Sequence, residues 1–339
     1  AHGIVETGIQ VIFLLAGFGV TGLLAGTALT TIGASVILFG ISRVEIARPS
    51  LNTLRSISKF ARWSVLSSGL ATTYDRLPVL VLGFVLGNNV AGYYTSAMRL
   101  LMIGSYVGGA IGPALMVRAS ASSTDRPDKS NLSDLSTSMQ YTAILSIPIM
   151  FGSFAIPDAL MTTVFGQSFV GTGSILIGLS IYHVINTYDT VLYSFFDGIN
   201  HPEYSSKSTL YSLLFRIGLI YVSIDQFGAM GIVSSVVISH LFHLLAGQFF
   251  LIKKFNQTTF PRAVVTQVAS GTIMWVIVVT LSNIIKITDW TLLSVVVGIG
   301  AMCYGAILLA TDSQVRKMVQ DTLINIFVYV RSIYYNYKK

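Results

Sequence analysis

Charge is what this 339-residue sequence has least of: Asp, Glu, Lys and Arg make up 10% of it, while 53% is apolar. A soluble domain carries about 25% charged residues, so this chain cannot cover a surface with hydrated groups. Cysteine is nearly absent too. Cys303 stands alone in an apolar run, which excludes an internal disulfide framework and a cysteine-based zinc site and leaves it as a small core residue. His183, His240 and His243 define no second cluster of ligands, so no metal is expected. Walker A, HExxH and GxSxG sequences are missing, and the expected outer loops are only about 2 to 15 residues long. No enzyme, cofactor or nucleic-acid reading has support. The sequence starts at Ala1 without a Met or a charged leader and is apolar by Ile4, which fits the later part of a longer protein.

What the chain does have is long apolar windows. A membrane helix needs about 20 mostly apolar residues, and ten windows of this kind are separated by clusters of charge, Pro, Asn and Gly. They cover 4–17, 20–41, 62–86, 90–117, 135–156, 171–196, 206–224, 229–252, 264–285 and 290–310. The expected fold class is an all-α polytopic membrane protein with about ten transmembrane helices. Lys and Arg collect in cytoplasmic loops, and here 17 of 21 follow alternate windows, on one side. Only Lys286 falls in an opposite loop; Arg76, Arg99 and Arg216 lie inside windows. A cytoplasmic C-terminus in a multi-pass cell-membrane protein follows.

One short repeat organises these windows. Phe18-Gly19-Val20-Thr21-Gly22 resembles Phe227-Gly228-Ala229-Met230-Gly231, and in both copies the following window ends in cations, Arg43 or Lys253 and Lys254. Six windows separate the copies, an even number, which fits a parallel repeat of six-helix lobes. Residues 1–42 are then the last two helices of a first lobe, 43–61 a cytoplasmic linker and 62–255 a second six-helix lobe. Two additional helices span 256–311, and 312–339 form a basic, amphipathic cytoplasmic tail suited to the inner membrane surface.

An ionisable side chain at the centre of a span costs roughly 2.5–3.5 kcal/mol, so such groups face a cavity or a partner. Ser64, Ser68, Thr72, Asp75 and Arg76 align on one helical face, and Pro78 follows where a kink can open it. Arg99 shares a stripe with Thr95 and Tyr106, and Arg216 one with Ser212 and Ser208. Tyr182, Asn186, Asp189 and Tyr193 form another stripe; Ser235, Ser239 and His243 form a further one. Such stripes can meet at a water-filled cavity. The plainer alternative is that Asp75 pairs with Arg99, or Arg76 with Asp189, to neutralise charge, while Ser and Thr join helices. Three arginines against two carboxylates favour an anion such as a phosphate or pyrophosphate. Arg76, Arg99, Arg216, Thr72 and Asn186 are therefore candidate substrate contacts, and Asp75 and Asp189 are candidates for H+ or Na+ coupling. Gly104, Gly108 and Gly112 are spaced for a close helix contact.

Asp75-Arg76-Leu77-Pro78, followed by Gly87-Asn88-Asn89-Val90-Ala91-Gly92-Tyr93-Tyr94-Thr95-Ser96-Ala97-Met98-Arg99, resembles the start of the second lobe of Wzx-like oligosaccharide flippases. Val164-Phe165-Gly166-Gln167-Ser168-Phe169 and Asp197-Gly198-Ile199-Asn200-His201-Pro202 are similar to elements flanking a later helix of that family, in the same order. The resemblance implies the two-lobe fold of the multidrug/oligosaccharidyl-lipid/polysaccharide superfamily, of which this chain would hold helices five to fourteen. It also implies alternating access for a lipid-linked sugar phosphate, with membrane lipids and glycan-assembly enzymes as partners, in polysaccharide or glycoprotein glycan assembly. The alternatives are a cation-coupled multidrug exporter of the same superfamily, a membrane glycosyltransferase or polymerase, and a non-transporting truncated scaffold.

The charge asymmetry makes a topological prediction. Cysteines introduced at Ser122 and Gln167 and labelled from outside intact cells should react at 167 and be protected at 122; the reverse pattern overturns the orientation.

Overall fold

The structure, a computed structural model, describes residues 2–41, 50, 68–121, 129–259, 263–313, 315–317 and 320. Most of the expected linker at 43–61 and of the tail beyond 312 therefore lies outside the described residues. The chain divides into two compact units, residues 1–64 and 65–339. Among the described residues there is no strand; the protein is an all-α polytopic membrane protein. Among the described residues seven helices are long and apolar enough to cross a membrane, and a bent pair counted as one span would make an eighth.

The first unit is a helical hairpin of α1 (His2–Leu15) and α2 (Gly19–Ile41). Gly17 and Gly19 turn the chain at φ +85° and +54°, a region that costs a residue with a Cβ. Gly22 and Gly26 let the helices approach: a Cβ on Gly26 would lie 3.3 Å from the Gln10 Cα. Gln10 Nε2 donates to Thr27 Oγ1 across the pair at 2.9 Å.

The second unit contains α3 (Ser68–Leu86), α4 (Asn88–Ala121), α5 (Asn131–Ala155), α6 (Pro157–Phe165), α7 (Gly173–Gly198), α8 (Pro202–Phe255), α9 (Ala263–Ile284) and α10 (Trp290–Thr311). Although α8 is continuous by hydrogen bonding, Gly228 has φ +52° and ψ −128° and reverses the chain. Hydrogen bonds between 208 and 243, 216 and 239, and 223 and 231 show arms 202–227 and 229–255 lying antiparallel. These arms coincide with two of the expected windows. In the two Phe-Gly-x-x-Gly segments Gly19 and Gly228 both have a positive φ, +54° and +52°, and Gly22 and Gly231 each sit against the preceding residues, Gly231 within 2.4 Å of the Ser223 carbonyl oxygen for an added Cβ.

Residues 157–170, expected as an outer loop, hold α6 at 95° to α5, with Pro157 at its first position. Asp158 Oδ1 accepts from the Gly173 N–H at 3.1 Å, fastening α6 to the start of α7. At the beginning of α10, the Asp289 carboxylate accepts from the Leu292 N–H and the Thr291 hydroxyl, which holds it below the usual carboxylate range.

The packing differs from that of a soluble bundle. The buried side of α8 mixes small and polar residues, Ser208, Ser212, Gly231, Ser235, Ser239 and Gly247, with aliphatic ones such as Ile232 and Val236, whereas Leu214, Phe215, Ile217, Tyr221 and Val222 are exposed. With lipid as the surrounding medium, association relies on close van der Waals contact and interhelical hydrogen bonds, which small residues permit. α7 is the centre: 16 of its residues are buried, which is why α4, α5 and α8 all pack on it. Gly104, Gly108 and Gly112 bring α4 against Ser146 of α5 and His183, Thr187 and Ser194 of α7. Cys303, expected in the core, is only half-buried.

A closer backbone approach between α4 and α7 sits at the C-terminal end of α7. A Cβ on Gly198 would come 2.7 Å from the Met116 carbonyl oxygen and 2.9 Å from its Cα, backbone that cannot step aside. Gly198→Ala should therefore destabilise the folded protein by about 1–3 kcal/mol. Gly109→Ala, where nothing lies within 4 Å, should stay within about 0.5 kcal/mol. Thermal unfolding of both variants in one detergent is the comparison.

Candidate functional site

The polar stripes of α7 and α8 meet in a buried seam on which α3 closes. Its largest member is Arg216, 1% exposed. An isolated charge in an apolar interior is prohibitive, so a guanidinium can stay there only with its donors engaged. Nε donates to Ser239 Oγ at 2.8 Å, Nη1 to the Tyr74 carbonyl at 2.6 Å and Nη2 to His240 Nδ1 at 2.5 Å. Because a guanidinium has no acceptor, His240 Nδ1 must accept, so the imidazole is neutral with its proton on Nε2. The Tyr74 ring covers the guanidinium, its centroid 3.5 Å from Cζ, a cation–π contact in a desolvated place. Asp75 lies within electrostatic reach of both Arg216 and Arg76.

A second group continues the seam toward the start of α8. His243 Nδ1 is 3.1 Å from Asp189 Oδ2, and its Nε2 is 3.4 Å from Thr209 Oγ1. Tyr193 Oη donates to the His243 carbonyl at 2.8 Å and lies 2.5 Å from Ser208 Oγ. Asp189 also lies within electrostatic reach of Arg216, which joins the two groups. Two buried atoms in this region, Asp189 Oδ1 and Ser212 Oγ, have no hydrogen-bond partner.

The sequence-derived candidates divide cleanly by environment. Arg216 and Asp189 are buried in the seam; Thr72, Asp75, Arg76 and Arg99 are exposed on α3 and α4, and Asn186 is half-buried on α7. Neither Asp75–Arg99 nor Arg76–Asp189 is among the ion pairs of the described residues, which join Arg118 to Asp134, His201 to Glu203 and His243 to Asp189. Tyr74 and His240 belong to the seam and had not been singled out as site residues. The sequence signal for Tyr74 is Pro78, four residues on; for His240 it is Ser239 beside it, mirrored across Gly228 from Arg216.

The family described as polysaccharide biosynthesis protein matches residues 2–173. The chain is similar to the probable flippase AglR of Haloferax volcanii, with 24% identity over 95% of this chain and 68% of that one. Similarity to the probable low-salt glycan biosynthesis flippase Agl15 of the same organism is 25% over 64% of this chain, and the match spans 45% of Agl15. Among solved structures, lipid II flippase MurJ in an inward closed conformation shares the fold, with a TM-score of 0.71 at 15% identity over 93% of this chain and 67% of that one.

The Asp189–His243 pair separates charge from geometry. Asp189→Asn keeps an acceptor oxygen for His243 and removes the charge, so it should cost about 1–2 kcal/mol. His243→Ala leaves the buried carboxylate without its partner and should cost about 3–5 kcal/mol. Equal losses in thermal stability would show that the pair contributes packing alone.

Proposed function

Because the chain belongs to the polysaccharide biosynthesis protein family, we propose that it works as part of a membrane flippase that moves lipid-linked sugars bearing phosphate or pyrophosphate by alternating access. The observation that carries this reading is the exposure of Arg76 and Arg99 within membrane-spanning helices. Exposure to lipid would cost each about 2.5–3.5 kcal/mol on insertion scales, so Arg76, with Thr72 and Asp75 on α3, and Arg99 on α4 would lie along a water-accessible path. A planar guanidinium on such a path holds phosphate oxygens through paired donors. Asn186 adds a neutral donor and acceptor for a sugar hydroxyl. Arg216 contributes positive charge from behind the Tyr74 ring while its donors stay engaged within the protein.

In this reading Asp75 and Asp189 couple turnover to H+ or Na+. Support comes from Asp75 lying within electrostatic reach of two cations and from the unpartnered Oδ1 of Asp189, an oxygen with capacity for a proton or a cation. The cation asymmetry supports a cytoplasmic C-terminus, and the named relatives support glycan assembly as the process served.

Transport of a fluorescent polyprenyl-phosphate sugar, with the full gene product in proteoliposomes, tests the proposal. Arg76→Ala and Arg99→Ala should each lower the rate by about tenfold or more, as expected for a lost hydrogen bond to a charged group. Arg→Lys should restore it only in part. Asp75→Asn should remove the response to an imposed ion gradient. Both alanine variants transporting at the parental rate would refute the anion path.

A further inference from the structure

Helix α3 contains a defect that its own sequence creates. In an α-helix the carbonyl of residue 74 accepts from the N–H of residue 78. Residue 78 is proline and has no N–H, so the Tyr74 carbonyl lacks its regular α-helical donor. An unpaired carbonyl in an apolar interior is costly. Arg216 fills this vacancy: Nη1 donates to that oxygen at 2.6 Å from a different helix, 142 residues away in sequence. The same side chain stacks on the Tyr74 ring and is held from behind by Ser239 and His240. A few residues later α3 changes to a π turn at Leu82–Leu86, so two irregularities bracket one short stretch.

We infer that Arg216 is a positioning residue: its guanidinium substitutes for the hydrogen bond that Pro78 removes, and so locks α3 in the arrangement that presents Thr72, Asp75 and Arg76. The lock is specific to arginine. Its planar fork serves the Tyr74 carbonyl and the Ser239 and His240 side chains together, whereas a shorter neutral side chain reaches only one of them. Releasing Nη1 frees the Tyr74 carbonyl and lets the chain pivot at Pro78, a site where helices bend. Arg216 thus controls α3 without touching substrate, and the transport consequence rests on the flippase reading given above.

Because the vacancy exists only when residue 78 is proline, a mutant cycle isolates the lock. Arg216→Gln should lower transport about tenfold. Pro78→Ala restores an N–H, so P78A/R216Q should regain most of the rate that R216Q loses. Independently of transport, spin labels at Thr73 of α3, before the pivot, and Tyr221 of α8, both exposed, report the α3 arrangement by pulsed dipolar spectroscopy in nanodiscs. R216Q should shift or broaden their distance distribution, and P78A/R216Q should return it toward the parental one. If R216Q does not accumulate in membranes, recovery of accumulation in P78A/R216Q supports the lock and equal loss in both overturns it. An unchanged distribution in R216Q, or no rescue by P78A, also overturns it. A distribution that behaves as expected in a protein that moves no lipid-linked sugar would retain the lock and dismiss the flippase reading.

Discussion

A charge can be kept in a medium without water only if protein atoms replace its hydration shell, and that constraint organises the second unit. Arg216 is buried, and each nitrogen of its guanidinium donates to a group from another part of the fold, the Tyr74 carbonyl from α3 and Ser239 and His240 from the opposing arm of α8, while the Tyr74 ring covers one face. The requirement propagates. His240 must stay neutral to accept, α3 must approach α8 closely enough to offer a carbonyl, and the arms must keep their register within a fraction of a turn. The seam therefore sets the spacing of three helical segments more tightly than the surrounding apolar contacts, which tolerate exchange of one hydrocarbon for another.

The helical class and the helix positions were legible because the windows are long, apolar and punctuated by turn residues. The Gly228 reversal was legible from the repeat of Phe18-Gly19 in Phe227-Gly228. Ser239, His243, Asp189 and Tyr193 were legible as stripes because helical spacing places them on common faces. Which stripe met which was not. The expected Asp75–Arg99 and Arg76–Asp189 pairs depend on the rotation of helices far apart in sequence, and the structure pairs Asp189 with His243 instead. Tyr74 was missed for a different reason. Its contribution is a backbone carbonyl, which carries no side-chain signature; only the proline four residues later records that the carbonyl is free.

Two polar environments coexist in the second unit. The seam is dense and largely satisfied internally, whereas Thr72 and Arg76 of α3 and Arg99 of α4 are exposed. Asp75 stands at the boundary, within electrostatic reach of one arginine from each. A charge change at this carboxylate would be felt by both arginines.

The single-residue reversal at Gly228 has a consequence for biogenesis. The arm 202–227 emerges from the ribosome first and carries Arg216, while two of the side chains that solvate that charge, Ser239 and His240, lie on the arm that follows. Alone in the bilayer, the first arm would bear an unsolvated cation; with the second arm folded against it, that cation is already surrounded. Because no loop separates the arms, they can leave the translocation channel as a preassembled pair, which makes the hairpin the natural unit of membrane insertion.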